Sequence, residues 1–316
     1  MTRMPAITGD TWFHSKPLTA EDLRGRIVLV DFWTYSCVNC QRTLPYLRDW
    51  WSKYKDKDFI LLGVHSPEFE FEKDPRNVEA ALKKFGVEWP VVLDNDHVIW
   101  DAFANRYWPA KYLADRKGEI VYTHFGEGGY TETEREIQRL LGEDRTGESM
   151  PAIAAEEHGH GNVCFIPTPE TYCGYERGAL ANEEGHQENT EFDYRWQGEL
   201  PEDSIALDGR FFAAAEYVES RAEGASLLLR FRATEVNLVM RPVSGKEAEV
   251  SITFDGEAPD PARRGRDADE NGGVRIREPD LYNLLKSDEV MEGILRLRAD
   301  VGNFQAYAFT FSGCAE

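Results

Sequence analysis

Cys37 and Cys40 stand two residues apart, and cysteines at that spacing can exchange disulfides, supply half of a tetrahedral metal site, or close a passive bridge. The flanking residues separate these uses. Upstream, Ile27-Val28-Leu29-Val30-Asp31-Phe32-Trp33 follows Gly25 as an apolar, β-branched run that reads as a buried strand. Downstream, Leu44, Leu47, Trp51 and Tyr54 recur at helical spacing, so the pair lies where a strand turns into a helix N-terminus. Unpaired backbone N–H groups and the positive end of the helix dipole favour an anion there, which stabilises a thiolate on Cys37. Cys37 is therefore the expected nucleophile, the more exposed thiol and the first to be alkylated. Cys40, one turn further in on the same side, is placed to attack a mixed disulfide at Cys37 and release the partner. A zinc site would need a second ligand pair of similar spacing, and Cys164, Cys173 and Cys314 do not supply it. The βα setting favours redox use, with metal binding and a passive bridge as the alternatives.

The pair and its neighbours resemble the thioredoxin superfamily. Asp31, six residues before Cys37, matches the buried acid that relays the proton of the second cysteine in that family, and Trp33 matches its tryptophan. Pro45, five residues after Cys40, matches the proline that kinks the active-site helix. Trp108-Pro109, ahead of the strand Ala110 to Ala114, falls where the family places a cis-proline opposite the cysteines. Within the motif this chain has Ser36-Cys37-Val38-Asn39-Cys40 where thioredoxin has Trp-Cys-Gly-Pro-Cys. The resemblance implies a site made of Cys37, Cys40, Asp31, Pro109 and Trp33, with Pro109 presenting backbone for a substrate strand. It implies no bound cofactor and no metal beyond the redox-active disulfide itself. Asp31 is expected beneath Cys40 with a raised pKa, because an unpaired carboxylate in an apolar strand is poorly solvated when charged.

The elements that carry these residues can be read in order. Thr19 is an N-cap for a short helix near Ala20 to Leu23, after a lead-in hairpin around Lys16-Pro17. Phe59 to His65 reads as a second buried strand. Pro67 to Asp74, with its alternating acids and aromatics, reads as a loop. Arg76 to Phe85 is an amphipathic helix ended by Gly86, and Pro90 to Asp94 another strand. Arg116-Lys117-Gly118 turns into a strand Ile120 to Phe125, and Thr131-x-x-Glu134 reads as a capping box opening a helix to Leu141. The αβ unit inserted before Pro109 resembles the TlpA-like and peroxiredoxin-like branch. The words Asp31-Phe32-Trp33-Thr34-Tyr35-Ser36-Cys37, His65-Ser66-Pro67-Glu68-Phe69, Asn105-Arg106-Tyr107-Trp108-Pro109-Ala110 and Phe125-Gly126-Glu127-Gly128 resemble the C-terminal part of DipZ-type proteins. That likeness implies a thioredoxin-like domain (1–143), a linker (144–161) and a carbohydrate-binding-module-like β domain (162–316). It also implies protein disulfide or thiol substrates and a separate electron donor, thioredoxin reductase-like or a CcdA-like membrane protein.

Short strands spaced by turn residues from Glu191 onward predict an all-β sandwich of jelly-roll type. The candidates are Glu191 to Gln197, Phe211 to Val218, Ser226 to Arg232, Glu235 to Arg241, Ala248 to Phe254, Gly273 to Ile276, Gly293 to Arg298 and Gln305 to Phe311. Sugar recognition wants exposed aromatic platforms. Only Trp196 among the tryptophans lies in this part, and Tyr194, Tyr217, Tyr282 and Tyr307 at strand spacing read as core, so docking or scaffolding is preferred over glycan binding. Asp255, Asp260, Asp267, Asp269 and Glu270 lack an ordered calcium-ligand spacing and read as a solvated loop. His158, His160 and Cys164 are a weak metal constellation, and Cys164 and Cys173 read as free thiols rather than a bridge.

The 316 residues carry 57 acids against 36 bases, a net charge of −21 that argues against nucleic acid and anionic membranes as partners. Met1 to Asp10 lacks the apolar core of about 7–15 residues that marks a signal peptide, and no run approaches the ~18 apolar residues of a membrane span. With an odd five cysteines, this predicts a soluble chain in a reducing, cytoplasmic compartment, or an extracytoplasmic one if a leader or fusion partner has been removed. The expected activity is thiol-disulfide exchange. A thiol peroxidase, which would use Thr34-x-x-Cys37, and a non-enzymatic binding module with a sensory cysteine pair are the competing readings.

Overall fold

The structure, a computed structural model, describes residues 2–142, 165–243 and 246–313. The chain divides into two compact units, Met1–Glu157 and His158–Glu316. The expected linker at 144–161 lies outside the described residues, as do His158, His160, Cys164 and Cys314.

In the first unit the elements run β1 (Thr2–Arg3), β2 (Trp12–Phe13), α1 (Ala20–Leu23), β3 (Ile27–Trp33), α2 (Val38–Tyr54), β4 (Phe59–His65), α3 (Pro75–Phe85), β5 (Val91–Leu93), α4 (Val98–Ala102), β6 (Ala110–Ala114), β7 (Glu119–Phe125) and α5 (Tyr130–Gly142). The strands form one sheet in the order β1-β7-β6-β3-β4-β5-β2. At its centre β3 pairs in parallel with β4 and antiparallel with β6, and every residue of β3 and β4 is buried, as their unbroken apolar runs predict. This is the expected thioredoxin-like fold with an αβ insertion.

Several local expectations change. There is no lead-in hairpin, because Trp12–Phe13 pairs with Val91 and Val92 at the far edge of the sheet. The segment expected as a loop at 67–74 contains a 3-10 turn, Glu70–Lys73, which buries Phe69, Phe71 and Glu72. On α2 the buried tryptophan is Trp50, with Trp51 half-buried. α5 starts at Tyr130, one residue ahead of the expected Thr131, and carries Glu134. Glu134 is buried and accepts hydrogen bonds from Tyr54 Oη at 2.8 Å and Lys53 Nζ at 3.0 Å. Two boundaries follow local chemistry closely. Thr19 and Asp22 form a reciprocal cap at α1, and Gly86 ends α3 at φ 63°, a left-handed conformation suited to glycine.

The second unit is all β: β8 (Thr171–Tyr172), β9 (Glu191–Tyr194), β10 (Ser204–Ala213), β11 (Val218–Ser220), β12 (Ser226–Pro242), β13 (Ala248–Phe254), β14 (Gly273–Ile276), β15 (Asp280–Val301) and β16 (Phe304–Ser312). Two pairs of expected features merge or split. Ser226 to Arg232 and Glu235 to Arg241 are one strand, β12, bulged between Ala233 and Glu235, while 211–218 divides between β10 and β11. The first part of β12 pairs with β10 and the second with β16, and β10–β11–β16 completes a closed, barrel-like circuit. β15 spans far more than the expected 293–298, following β12 along both parts. Strict alternation survives in β13, where Ala248, Val250, Ile252 and Phe254 are buried and the residues between them are not.

The aromatics considered as sugar platforms are mostly core. Tyr194, Tyr282 and Tyr307 are buried, Tyr217 leans on Tyr307 with ring centroids 5.2 Å apart, and Trp196 packs against Leu200, Ala206 and Leu228. The acids of the long loop serve its backbone. Asp255 accepts the Ile294 N–H, Asp269 those of Asn271 and Gly273, Asp260 that of Ala262 and Asp267 that of Asn283. Cys173 is a buried thiol, its pKa pushed up by burial.

Candidate active site

β3 ends at Trp33 and α2 begins at Val38, so the intervening turn delivers Cys37 as the helix N-cap. Its sulfur accepts the Cys40 backbone N–H at 3.3 Å. The N-terminal amides that a serine or aspartate cap would satisfy are thus presented to a cysteine sulfur. Cys37 is partly exposed and Cys40 is buried at 1%, the asymmetry expected of an attacking and a resolving thiol. Burial raises the Cys40 pKa well above the usual thiol range, with Cys37 and Asp31 adding to the effect.

The turn is braced from the inserted segment. Glu72 Oε1 accepts the Ser36 hydroxyl at 2.6 Å and its N–H at 3.3 Å, while Oε2 accepts the N–H groups of Glu68 at 2.6 Å and Phe69 at 3.0 Å. One buried carboxylate therefore ties the residue before Cys37 to the 3-10 turn. Burial raises its pKa against the pull of these donors. From the other side, Gln41 Nε2 donates to the Tyr35 carbonyl at 2.8 Å.

Asp31 lies on β3 at 1% exposure, and burial pushes its pKa up to about 7, opposed by the nearby charge of Lys111. Its Oδ1 has no hydrogen-bond partner among the described residues. Trp33 is buried and packs edge-on against His65 at 5.3 Å between ring centroids. A Cβ on Gly63 would come within 3.1 Å of Trp33 Nε1, which is the packing reason for glycine in the middle of β4. His65, fully buried, has its pKa lowered to about 3 by burial and is therefore a neutral imidazole, with Nε2 3.4 Å from the Thr34 hydroxyl.

The Trp108–Pro109 bond is cis, as expected. β6 starts at Ala110 opposite Phe32, so Pro109 sits at the end of the sheet where the cysteine turn begins. Its carbonyl accepts the Gly126 N–H at 2.8 Å, so that part of its backbone is already engaged within the sheet. Trp108 instead has a main chain with no hydrogen bond among the described residues, while its ring is fixed by a 2.9 Å bond from Nε1 to the Ser66 carbonyl and by Trp100 at 4.3 Å.

Sequence reasoning missed three groups here. Lys111 is fully buried on β6, paired in register with Asp31. Its signal was present as a single cation within Ala-Lys-Tyr-Leu-Ala, but only the strand register places it opposite Asp31. Glu72 carried no signal, since its neighbours Glu68 and Glu70 are of the same type. His65 was read only as a strand end.

Over 141 residues the chain is 31% identical to the thiol-disulfide oxidoreductase YkuV of Bacillus subtilis, covering 44% of this chain and 95% of that protein. This chain belongs to the thioredoxin-like superfamily. Residues 2–123 match the AhpC/TSA family. Residues 168–312 match the thioredoxin-like C-terminal domain family. Protein DipZ of Mycobacterium tuberculosis is 32% identical over 316 residues, covering 98% of this chain and 42% of that protein, so the chain spans less than half of that relative. The thiol-disulfide oxidoreductase ResA of Bacillus cereus is 25% identical over 130 residues, 41% of this chain and 72% of that protein. A solved thioredoxin-like protein in the oxidised form is 31% identical, covering 45% of this chain and 95% of that one, at TM-score 0.41. Among the described residues no helix is long and apolar enough to cross a membrane.

Proposed function

We propose that Cys37 and Cys40 are the redox pair through which this protein reduces or exchanges disulfides in protein substrates. The observation that carries this is the N-capping sulfur of Cys37, 3.3 Å from the Cys40 N–H, with the second thiol buried behind it. The Cys37 thiolate attacks a substrate disulfide, forms a mixed disulfide and expels one substrate thiolate. Cys40 then gives its proton to Asp31 and attacks the Cys37 sulfur, closing the Cys37–Cys40 disulfide and expelling the second substrate thiolate. Two electrons pass from the protein dithiol to the substrate disulfide, with no cofactor or metal, and a separate dithiol donor returns them. Trp108 main chain and Pro109 form the edge against which an extended substrate pairs, and Trp33 packs behind the turn.

The decisive experiment is trapping. Cys40→Ser should accumulate a mixed disulfide through Cys37, and Cys37→Ser should form none; adducts through Cys40 in the second variant would overturn the assignment of roles. A peroxidase has less support, because the Thr34 hydroxyl it would use contacts His65 Nε2. For the β unit the inward packing of Tyr194, Tyr282 and Tyr307 supports docking or scaffolding over sugar binding.

A further inference from the structure

At the end of the sheet away from the cysteines, the first unit holds a cavity of about 470 Å³. It lies between residues 3–7, α1, the start of β3 and the turn that joins β6 to β7. That volume falls within the ~300–1,000 Å³ of small-molecule sites. Val28 in its floor and Trp33 beside the cysteine turn stand at opposite ends of β3, roughly 16 Å apart at the rise of a strand, so the cavity is separate from the redox site.

Its lining divides by chemistry. Met4, Ile7, Leu23 and Val28 give an apolar floor, and all four belong to or pack against the hydrophobic core of this unit. Arg3, Arg24, Arg116 and Lys117 supply its charge, and no aspartate or glutamate lines it. In a chain with 57 acids against 36 bases, a cavity lined by cations alone among charged residues is a local reversal of the overall balance. Arg116 is engaged within the fold, donating to the Leu140 carbonyl at 2.8 Å and lying 4.0 Å from Asp58. Arg3, Arg24 and Lys117 are exposed at the mouth and have no ion pair among the described residues. Acids close in sequence or register do not neutralise them. Glu119 stands opposite Arg3 in the β1–β7 register without pairing to it, and Asp115 accepts the backbone N–H groups of Lys117 and Glu119, each at 2.9 Å.

We propose that this cavity binds a free medium-chain fatty carboxylate, its alkyl chain on Met4, Ile7, Leu23 and Val28 and its carboxylate among Arg3, Arg24 and Lys117. The floor favours an alkyl chain, which it removes from water, and the unpaired cations favour a negative head, so neither a neutral lipid nor a hydrophilic anion satisfies both parts. A two-chain phospholipid is too large to be enclosed here. An anionic bilayer is also a poor occupant, because a net charge of −21 repels an extended negative surface, whereas a single small anion meets the local cations. The binding is non-covalent and independent of the disulfide chemistry.

The test is isothermal titration of the full chain with decanoate, hexanoate and decanol, with pelleting on phosphatidylglycerol vesicles alongside. Decanoate should bind saturably at one site. Hexanoate, four methylenes shorter, should bind at least tenfold more weakly, and so should decanol, which keeps the chain and lacks the charge. The double variant Arg24→Gln, Lys117→Gln should weaken decanoate about tenfold and leave decanol within about twofold, which removes the preference for the anion. No saturable binding of decanoate, equal affinity for decanoate and decanol, or an undiminished preference in the double variant would overturn the proposal. Pelleting with the vesicles in the absence of decanoate binding would overturn it as well, since the cations would then serve a membrane surface.

Discussion

The two units treat buried polar groups in opposite ways. In the first, Asp31 Oδ1, Trp33 Nε1, His65 Nδ1 and Lys111 Nζ are all buried without hydrogen-bond partners among the described residues, and all lie on the three central strands beside the cysteine turn. In the second, buried polar groups serve one another. Asn283 Nδ2 donates to Asn237 Oδ1 and Glu235 Oε1, each at 2.8 Å, Gln305 Nε2 donates to Glu219 Oε2 at 2.7 Å, and Glu219 is ion-paired with Arg221 at 2.8 Å. Asn237 Nδ2, Thr310 Oγ1, Glu219 Oε1 and Arg221 Nε lack hydrogen bonds there, but the first two are not titratable and the last two are ion-paired, Glu219 with Arg221 and Arg221 Nε with Glu191 at 3.4 Å. An unpaired buried ionisable group costs stability, and Asp31, His65 and Lys111 concentrate that cost beside the two thiols. The β unit makes no such concession.

The comparison breaks most completely at the thiols. Cys37→Ser should reduce insulin-disulfide reduction to background, since no other described thiol is both partly exposed and at a helix N-cap. Activity persisting in that variant would move the chemistry elsewhere.

Asp31 gives the next largest effect. Asp31→Asn should slow resolution at pH 7 about 100-fold, the order expected for loss of a general base. Its effect on stability has a definite sign. The folded pKa of about 7 lies above the 3.8 of an exposed aspartate, so between those values the native state holds a proton the unfolded chain has lost. Stability therefore falls as pH rises through that window, by ~3 kcal/mol between pH 5 and pH 8. Denaturant unfolding at both pH values should show a drop smaller by about that amount in Asp31→Asn. Equal drops in the two proteins would mean that Asp31 ionises freely.

The sequence made the framework of this site legible but not its electrostatics. Cys37, Cys40, Asp31 and Pro109 were readable because a strand period, a helix period and a short spacing are local signals. Lys111 was not, because its meaning depends on a partner eighty positions away and on a register that only the closed sheet defines. Glu72 failed for a related reason: an acid in Glu-Phe-Glu-Phe-Glu looks solvated until the 3-10 turn rotates it inward. In the β unit, long bulged strands defeated a reading based on short alternating runs, since β12 and β15 change partners along their length while their hydrophobic pattern continues.

Glu72 sharpens the contrast from within the first unit, because it is a buried ionisable group that is fully bonded. Glu72→Ala leaves the N–H groups of Ser36, Glu68 and Phe69 without their acceptor, a loss on the order of 3 kcal/mol. Urea unfolding should report it. Disulfide reduction should fall about tenfold as the turn before Cys37 loosens, the scale of effect expected when a reacting group is misplaced. A loss of activity as large as that of Cys37→Ser would instead give Glu72 a direct part in the chemistry.

The smallest effect on catalysis belongs to the β unit. Asn283 joins two elements through its side chain: besides its bonds to Asn237 and Glu235, its Oδ1 accepts the Arg266 N–H at 2.9 Å, anchoring the long acidic loop to β15. Asn283→Ala strands a backbone donor and the buried Asn237 amide oxygen, a cost of ~2 kcal/mol read as a lower denaturation midpoint. Insulin reduction should stay within about twofold, because none of these bonds reaches the cysteine turn and the groups concerned carry no proton chemistry. If the β unit docks a particular substrate, the variant can lower the rate for that substrate alone while small disulfides react as before. A tenfold fall for insulin and for small disulfides together would mean that the β unit supports the thiols directly, and the division between a reactive unit and a bonded one would no longer hold.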